Sequence, residues 1–232
     1  MPDPLDAYIF VKGLDRTAAN RLRRLVDNVY RGRVGLNPED DGTGDPNMTQ
    51  SDATYGDAMR NHIRAVGGAV VRAVWLLAGV HDAMVAVSAD SYQRLQDLLM
   101  DDIRTIVSDT VTAVALYPQP PQPMPQPGGN VPQTNVMQPL GMYGASWHPR
   151  FDYRALIHGF IQPGSDPTSV LNSFKSVTGA NFGGASYVTG DSNFLGVASA
   201  NDFNTLTQVL NSLPQVQGIA PGSFVSLNVT RT

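Results

Sequence analysis

An internal repeat constrains this chain more than any other feature. Residues 79–95 read GVHDAMVAVSADSYQRL, and residues 190–206 read GDSNFLGVASANDFNTL. Gly79 aligns with Gly190, Ser88 with Ser199, Ala89 with Ala200 and Leu95 with Leu206, an offset of 111 residues. Asp82 stands opposite Asn193, Met84 opposite Leu195 and Tyr92 opposite Phe203. Upstream, DAYIFVKG (6–13) lies over DYRALIHG (152–159), an offset of 146. The difference, 146 − 111 = 35, places an insertion of that size between Gly13 and Gly79. A repeat at fixed spacing defines the folding unit.

The unit reads most clearly in the second copy. Residues 154–162 are short, apolar and closed by Pro163-Gly164, as a strand and turn are. Ser165 or Asp166 can cap a helix with Pro167 in its first turn. Val170, Leu171, Phe174 and Val177 recur at helical spacing, and Gly179 ends the run. Strands follow over 184–188 and 194–200, joined by the turn-forming stretch 189–193. Asn201 or Asp202 caps a helix whose inner face is Phe203, Leu206, Val209, Leu210 and Leu213. Residues 223–229 alternate as a half-buried strand does. The first copy repeats the order: strand 7–12, helix 17–30, strands 70–79 and 83–88, helix 91–105, strand 112–117. Tyr92, Leu95, Leu98, Leu99 and Ile103 form the inner stripe of its second helix, with Asp101 and Asp102 on the wet side.

The order β-α-β-β-α-β is the ferredoxin-like split βαβ. The expected fold class is therefore α+β: two ferredoxin-like repeats, paired as a pseudo-dimeric α/β barrel in which each buries the other's sheet face. The expected division is a first repeat over 1–117 with an insertion at about 31–66, a Pro/Gln-rich linker or arm over 118–150, and a second repeat over 151–232. The 232 residues, 42% of them hydrophobic and 16% charged, are enough for two small cores.

A small polar break after an apolar strand, an Asp-led helix and the Gly-x-x-Asp hairpin together resemble the effector-binding (RAM) domain of the Lrp/AsnC transcription regulators. The resemblance implies a non-enzymatic module that binds a small molecule such as an amino acid, and that oligomerises. It implies Gly79 and Asp82 in the first copy, and Gly190, Asp191 and Asn193 in the second, as ligand-binding turn residues. Asn193 departs from the family's acidic residue. Residues 1–5 leave no room for a helix-turn-helix before the first strand, and the net charge is −4, so no direct DNA binding is expected.

Other classes are narrowed by what the chain holds. With no cysteine, disulfides, thiolate metal sites and cysteine nucleophiles are excluded. No long apolar run or basic leader occurs, so no membrane partner and a cytoplasmic location are expected. Arg16, Arg21, Arg23, Arg24, Arg31 and Arg33 crowd one segment, as a solvated face or a subunit contact would. Arg21 and Arg24, with Tyr143 and Trp147 of the proline-rich arm, are assembly candidates for a homo-oligomer. That is the second reading: a structural self-assembling ring, tube or shell.

The third reading is a small barrel enzyme of the cofactor-free monooxygenase or isomerase type. The histidines are His62, His81, His148 and His158, none at metal-ligand spacing. No phosphate loop, dinucleotide fingerprint or nucleophile elbow is present. Neither a cofactor nor a metal is expected, and the chain is expected not to be an enzyme. His158, on the first strand of the second copy, is the weak candidate base, and His81 sits in a turn beside Asp82.

Overall fold

The structure is a computed structural model that describes residues 5–26, 68–116, 153–190, 192–220 and 224–228. The insertion at 31–66 and the arm at 118–150, with Tyr143 and Trp147, lie outside them, as does Asp191.

The first half runs β1 (Leu5–Lys12), α1 (Arg16–Arg24), β2 (Ala69–Ala78), β3 (Ala83–Ala89), α2 (Tyr92–Asp97) and β4 (Asp109–Leu116). α2 continues through a π-helical turn, Leu98–Ile103. The second half runs β5 (Tyr153–Gly159), α3 (Pro167–Thr178), β6 (Phe182–Thr189), β7 (Phe194–Ala200), α4 (Phe203–Ser212) and β8 (Phe224–Asn228).

Each helix starts where a short polar side chain meets an orphan backbone N–H. Asp15 accepts from Ala18 N at 2.7 Å, Ser91 from Arg94 N at 3.3 Å, Asp166 from Ser169 N at 2.9 Å and Asp202 from Thr205 N at 2.8 Å. Of the alternatives left open for the second half, the caps are thus Asp166 and Asp202. Gly179, at φ 55°, ends α3.

All eight strands belong to one sheet that closes on itself in the order β1-β3-β2-β8-β5-β7-β6-β4. Every neighbouring pair is antiparallel. Strands β1, β2, β5 and β6 therefore run one way and β3, β4, β7 and β8 the other. The β2–β3 and β6–β7 turns share one end of the barrel, the hairpin end. Helices α2 and α4 start at the other.

The expected pair of ferredoxin-like units docked face against face is corrected. The structure is a single α+β domain whose halves join edge to edge, Leu77 and Ala78 pairing with Asn228 and Leu227, and Val114–Leu116 with Thr189–Tyr187. The physical reason is that an isolated sheet leaves two edges of unpaired backbone groups, and joining the edges satisfies both.

Three cores follow from strand alternation. On one face of the first half, Leu22, Val26, Leu95 and Ile103 pack over Ile9, Val74 and Val85. In the second half, Val170, Phe174, Leu206 and Val209 cover Ile157, Phe194 and Ala198. The third core fills the barrel interior with side chains from both halves, among them Tyr8, Phe10, Trp75, Met84, Leu156, Leu195 and Val197.

The strand registers also correct the alignment of the repeats. Val11 pairs with Ala83, and Gly159 with Phe194. With Ala83 matched to Phe194, Val11 matches Gly159, so the first strands are offset by 159 − 11 = 148 residues rather than 146. Matching terminal Asp and Gly by letter had shifted the copies by one full side-chain period, which keeps the faces right and the partners wrong. In register, Phe10 corresponds to His158 and Asp6 to Arg154.

Two positions read as inward are not. Tyr92 is 66% exposed and Phe203 is 52% exposed, while Leu95 and Leu206 below them are buried. Both are the first residue of their helix, where the stripe overshoots the end of the sheet.

The seam between β2 and β8 has no spare room. A Cβ on Gly79 would lie 2.4 Å from Ser226 Oγ, 2.8 Å from its Cβ and 3.0 Å from its Cα. Gly79→Ala is expected to lower the unfolding free energy by about 1–3 kcal/mol, seen as a lower urea midpoint. Adding Ser226→Gly should restore part of the loss, because it removes the two closest obstacles.

Candidate functional site

Three rings from both halves converge inside the barrel near its hairpin end. Phe10 is on β1, His158 on β5, and His81 in the turn 79–82 between β2 and β3. The ring centres are 4.7 Å apart for Phe10 and His158, 5.0 Å for Phe10 and His81, and 5.6 Å for His81 and His158.

Strand alternation puts His158 there. It shares a face of β5 with Leu156, which belongs to the interior core, while Ala155 and Ile157 face the helices. Phe10 shares the inner face of β1 with Tyr8. His81 is carried inward by a hairpin that is pinned at Asp82. Asp82 N donates to Val11 O at 2.8 Å, Leu77 N donates to Asp82 O at 2.8 Å, and Leu14 N donates to Asp82 Oδ2 at 3.1 Å.

All three rings are buried, His158 at 1% exposure. Burial pushes the His158 pKa down from 6.5 to about 3, and the neighbouring His81 charge adds to the shift. The ring is therefore a neutral imidazole at physiological pH. It offers one N–H donor and one acceptor nitrogen, with no charge.

The hairpin residues singled out by resemblance tie the turns to the sheet. Asn193 copies Asp82: its N donates to Gly159 O at 3.2 Å, and its Oδ1 accepts from Ile161 N at 2.6 Å. Gly79 sits against Ser226, and Gly190 adopts φ 141° close to Thr112 O. Arg21 and Arg24 are exposed on α1, away from the three rings.

Sequence reasoning found both histidines but not their meeting, because they are 77 positions apart (158 − 81) and in different repeats. The correct strand offset would have helped. It places His158 where the first half has Phe10, and the 111-residue offset places Ser192 where the first half has His81.

At the opposite end the interior holds a second polar locus. Ser88 Oγ donates to the buried Asp6 carboxylate. The corresponding residues of the second half are Arg154 and Ser199, cross-strand partners on β5 and β7. Among the described residues, no group of three or more His, Asp or Glu side chains could hold a metal. No described helix is long and apolar enough to cross a membrane.

No protein-family model matches the chain, and no curated protein matches it. Solved structures do match over nearly its whole length. Two mutant forms of chlorite dismutase from Candidatus Nitrospira defluvii match with TM-scores of 0.48 and 0.47 at 12% and 13% identity, covering 98% of this chain and 92% of theirs. A protein designated a chlorite dismutase, TA0507, matches with a TM-score of 0.47 at 10% identity, covering 98% of this chain and 94% of its own.

Likeness at this level carries no activity to this chain. The resemblance to Lrp/AsnC RAM domains is corrected on other grounds, because no family model matches the chain. The hairpin-and-helix signature belongs to the βαββαβ unit at large, not to that family. The non-enzymatic amino-acid-binding or self-assembling module loses its footing with the resemblance. So does the expectation that the chain is not an enzyme, which rested on that resemblance.

The buried imidazole has a consequence for stability. Between about pH 3 and 6.5 the unfolded chain binds a proton at His158 that the folded chain refuses. Stability is then full above pH 6.5 and is lost as pH falls toward 3, on the order of 4–5 kcal/mol in total. Urea unfolding at pH 7.5 and pH 4.5 should show a markedly smaller difference for His158→Phe than for the parent chain.

Proposed function

We propose that the chain is a small-molecule enzyme of the barrel type that works without a cofactor, with its site at the His81–His158 pair. The convergence of two imidazoles and Phe10 inside the barrel supports this reading. His158, held neutral, donates a hydrogen bond to the carbonyl oxygen of an uncharged substrate. His81 takes the proton from the adjacent carbon and returns it to a neighbouring one. The net reaction is an isomerisation, in which a C–H bond breaks, another forms and no electrons leave the substrate. A base inside an apolar barrel is shielded from water, which favours proton transfer to and from carbon. The pair lies toward the hairpin end, where Val80 and Phe160 stand 53% and 39% exposed.

A neutral imidazole is the suitable partner for a carbonyl that must be polarised without a fixed cation. This revises the role first considered for His158: with a pKa of about 3 it is too weak a base to abstract a proton near neutrality. A cytoplasmic location and self-association belong with the same reading.

The test is deuterium exchange at carbon, followed by NMR, over a panel of enolisable aromatic ketones in D2O. The parent chain should accelerate exchange of at least one member. His158→Gln and His81→Gln should each slow it by about 100-fold or more, with melting temperatures that still report a folded barrel. Exchange that survives both substitutions would sink the proposal, as would a panel the parent leaves untouched.

A further inference from the structure

The exposed aromatic pair at the far end of the barrel is not used by the proposed reaction. Tyr153 and Phe203 are 41% and 52% exposed, with ring centres 6.1 Å apart and planes inclined at 62°. Both are fixed on rigid elements. Tyr153 opens β5 and pairs with Ala200, and Phe203 is the first residue of α4, behind the Asp202 cap. Two neighbouring rings held rigid and left in water form a docking platform rather than a scattered surface residue.

We propose that this platform receives the chain's own proline-rich stretch, residues 118–127. Its sequence is PQPPQPMPQP, in which six of ten residues are proline and none is charged. Proline-rich segments are recognised by closely spaced aromatic rings, because their extended helix is preformed and loses little entropy on docking.

The chain leaves the described residues at Leu116, the end of β4, and re-enters them at Tyr153, the start of β5. Both points lie at the barrel end where the platform stands. Around the sheet β4 is three strands from β5, and the stagger of the strands sets Leu116 across from Gly159, six residues (159 − 153) from Tyr153. At about 4.8 Å per strand and about 3.3 Å per residue, the separation along the sheet is roughly 25 Å. Ten residues in the polyproline form extend about 30 Å, at about 3.1 Å each, so the stretch reaches the platform from Leu116. The first half repeats the motif only in part: Tyr92 corresponds to Phe203, while Leu5 stands where the second half has Tyr153. The pair exists on one side of the barrel, and one proline-rich stretch serves it.

The absence of cysteine makes the test direct. Spin labels on Met124→Cys and Gln208→Cys in the full chain report the distance between the stretch and α4. Docking gives one narrow distance distribution. Tyr153→Ser with Phe203→Ser should broaden it, and so should Pro120→Ser with Pro123→Ser, while circular dichroism shows the same melting curve. A broad distribution in the parent would overturn the proposal, as would a narrow one that neither double variant changes. A mixture of two singly labelled chains separates the sources. A narrow distance in that mixture would mean that a second copy supplies the stretch, which also overturns the assignment.

Discussion

The two edge pairings that close the sheet are the constraint on which everything else rests. Each half is a four-stranded sheet, β4-β1-β3-β2 or β6-β7-β5-β8, with bare edges and one apolar face uncovered. Joining β2 to β8 and β4 to β6 satisfies the edges, and by the same act encloses the uncovered faces as one interior core. Among the described residues, two of β2 pair across one seam and three of β4 across the other. The seams form where the two halves must agree in shape. That agreement explains why a glycine, Gly79, faces Ser226 there, with no space for even a methyl group.

The His81–His158 pair is a product of that closure. His81 lies just beyond β2, and His158 lies on β5, the strand paired to β8. Among the described residues, the first half supplies one imidazole and the second half the other. The low pKa of His158 is likewise a property of the closed ring, because only the enclosed interior removes water from an inner-face residue of β5. Stability is thus coupled to the closure: acid conditions that protonate His158 act on the interior shared by the two halves.

The repeat was legible because turns and caps are written in local chemistry. Asp166 and Asp202 announce their helices, Gly79 and Gly190 their hairpins, and Leu95 and Leu206 their buried faces. What was not legible is what depends on pairing between distant segments. A two-residue error in aligning DAYIFVKG with DYRALIHG left every inward side chain facing inward, since strands repeat with period two. It nevertheless hid the equivalence of Phe10 and His158. Edge-to-edge joining was equally invisible, because an edge strand reads like a central one when both its faces are covered. Tyr92 and Phe203 failed for a simpler reason. Helical spacing assigns a face, but not whether the sheet extends far enough to cover that face's first residue.

The corrected equivalence shows where the two halves have diverged. Behind the helices both cores are mainly apolar and alike in plan. Inside the barrel the matched positions differ in kind: Phe10 against His158, Asp6 against Arg154, and His81 against Ser192. A scaffold under selection for folding alone has no reason to keep charged and titratable groups in the one core that both halves share, where burial is costly. Hydrophobic residues of similar size would close the ring at least as well. Charged and titratable differences gathered in the interior, on a scaffold otherwise repeated, are what a site built by breaking the symmetry of a duplicated fold would leave.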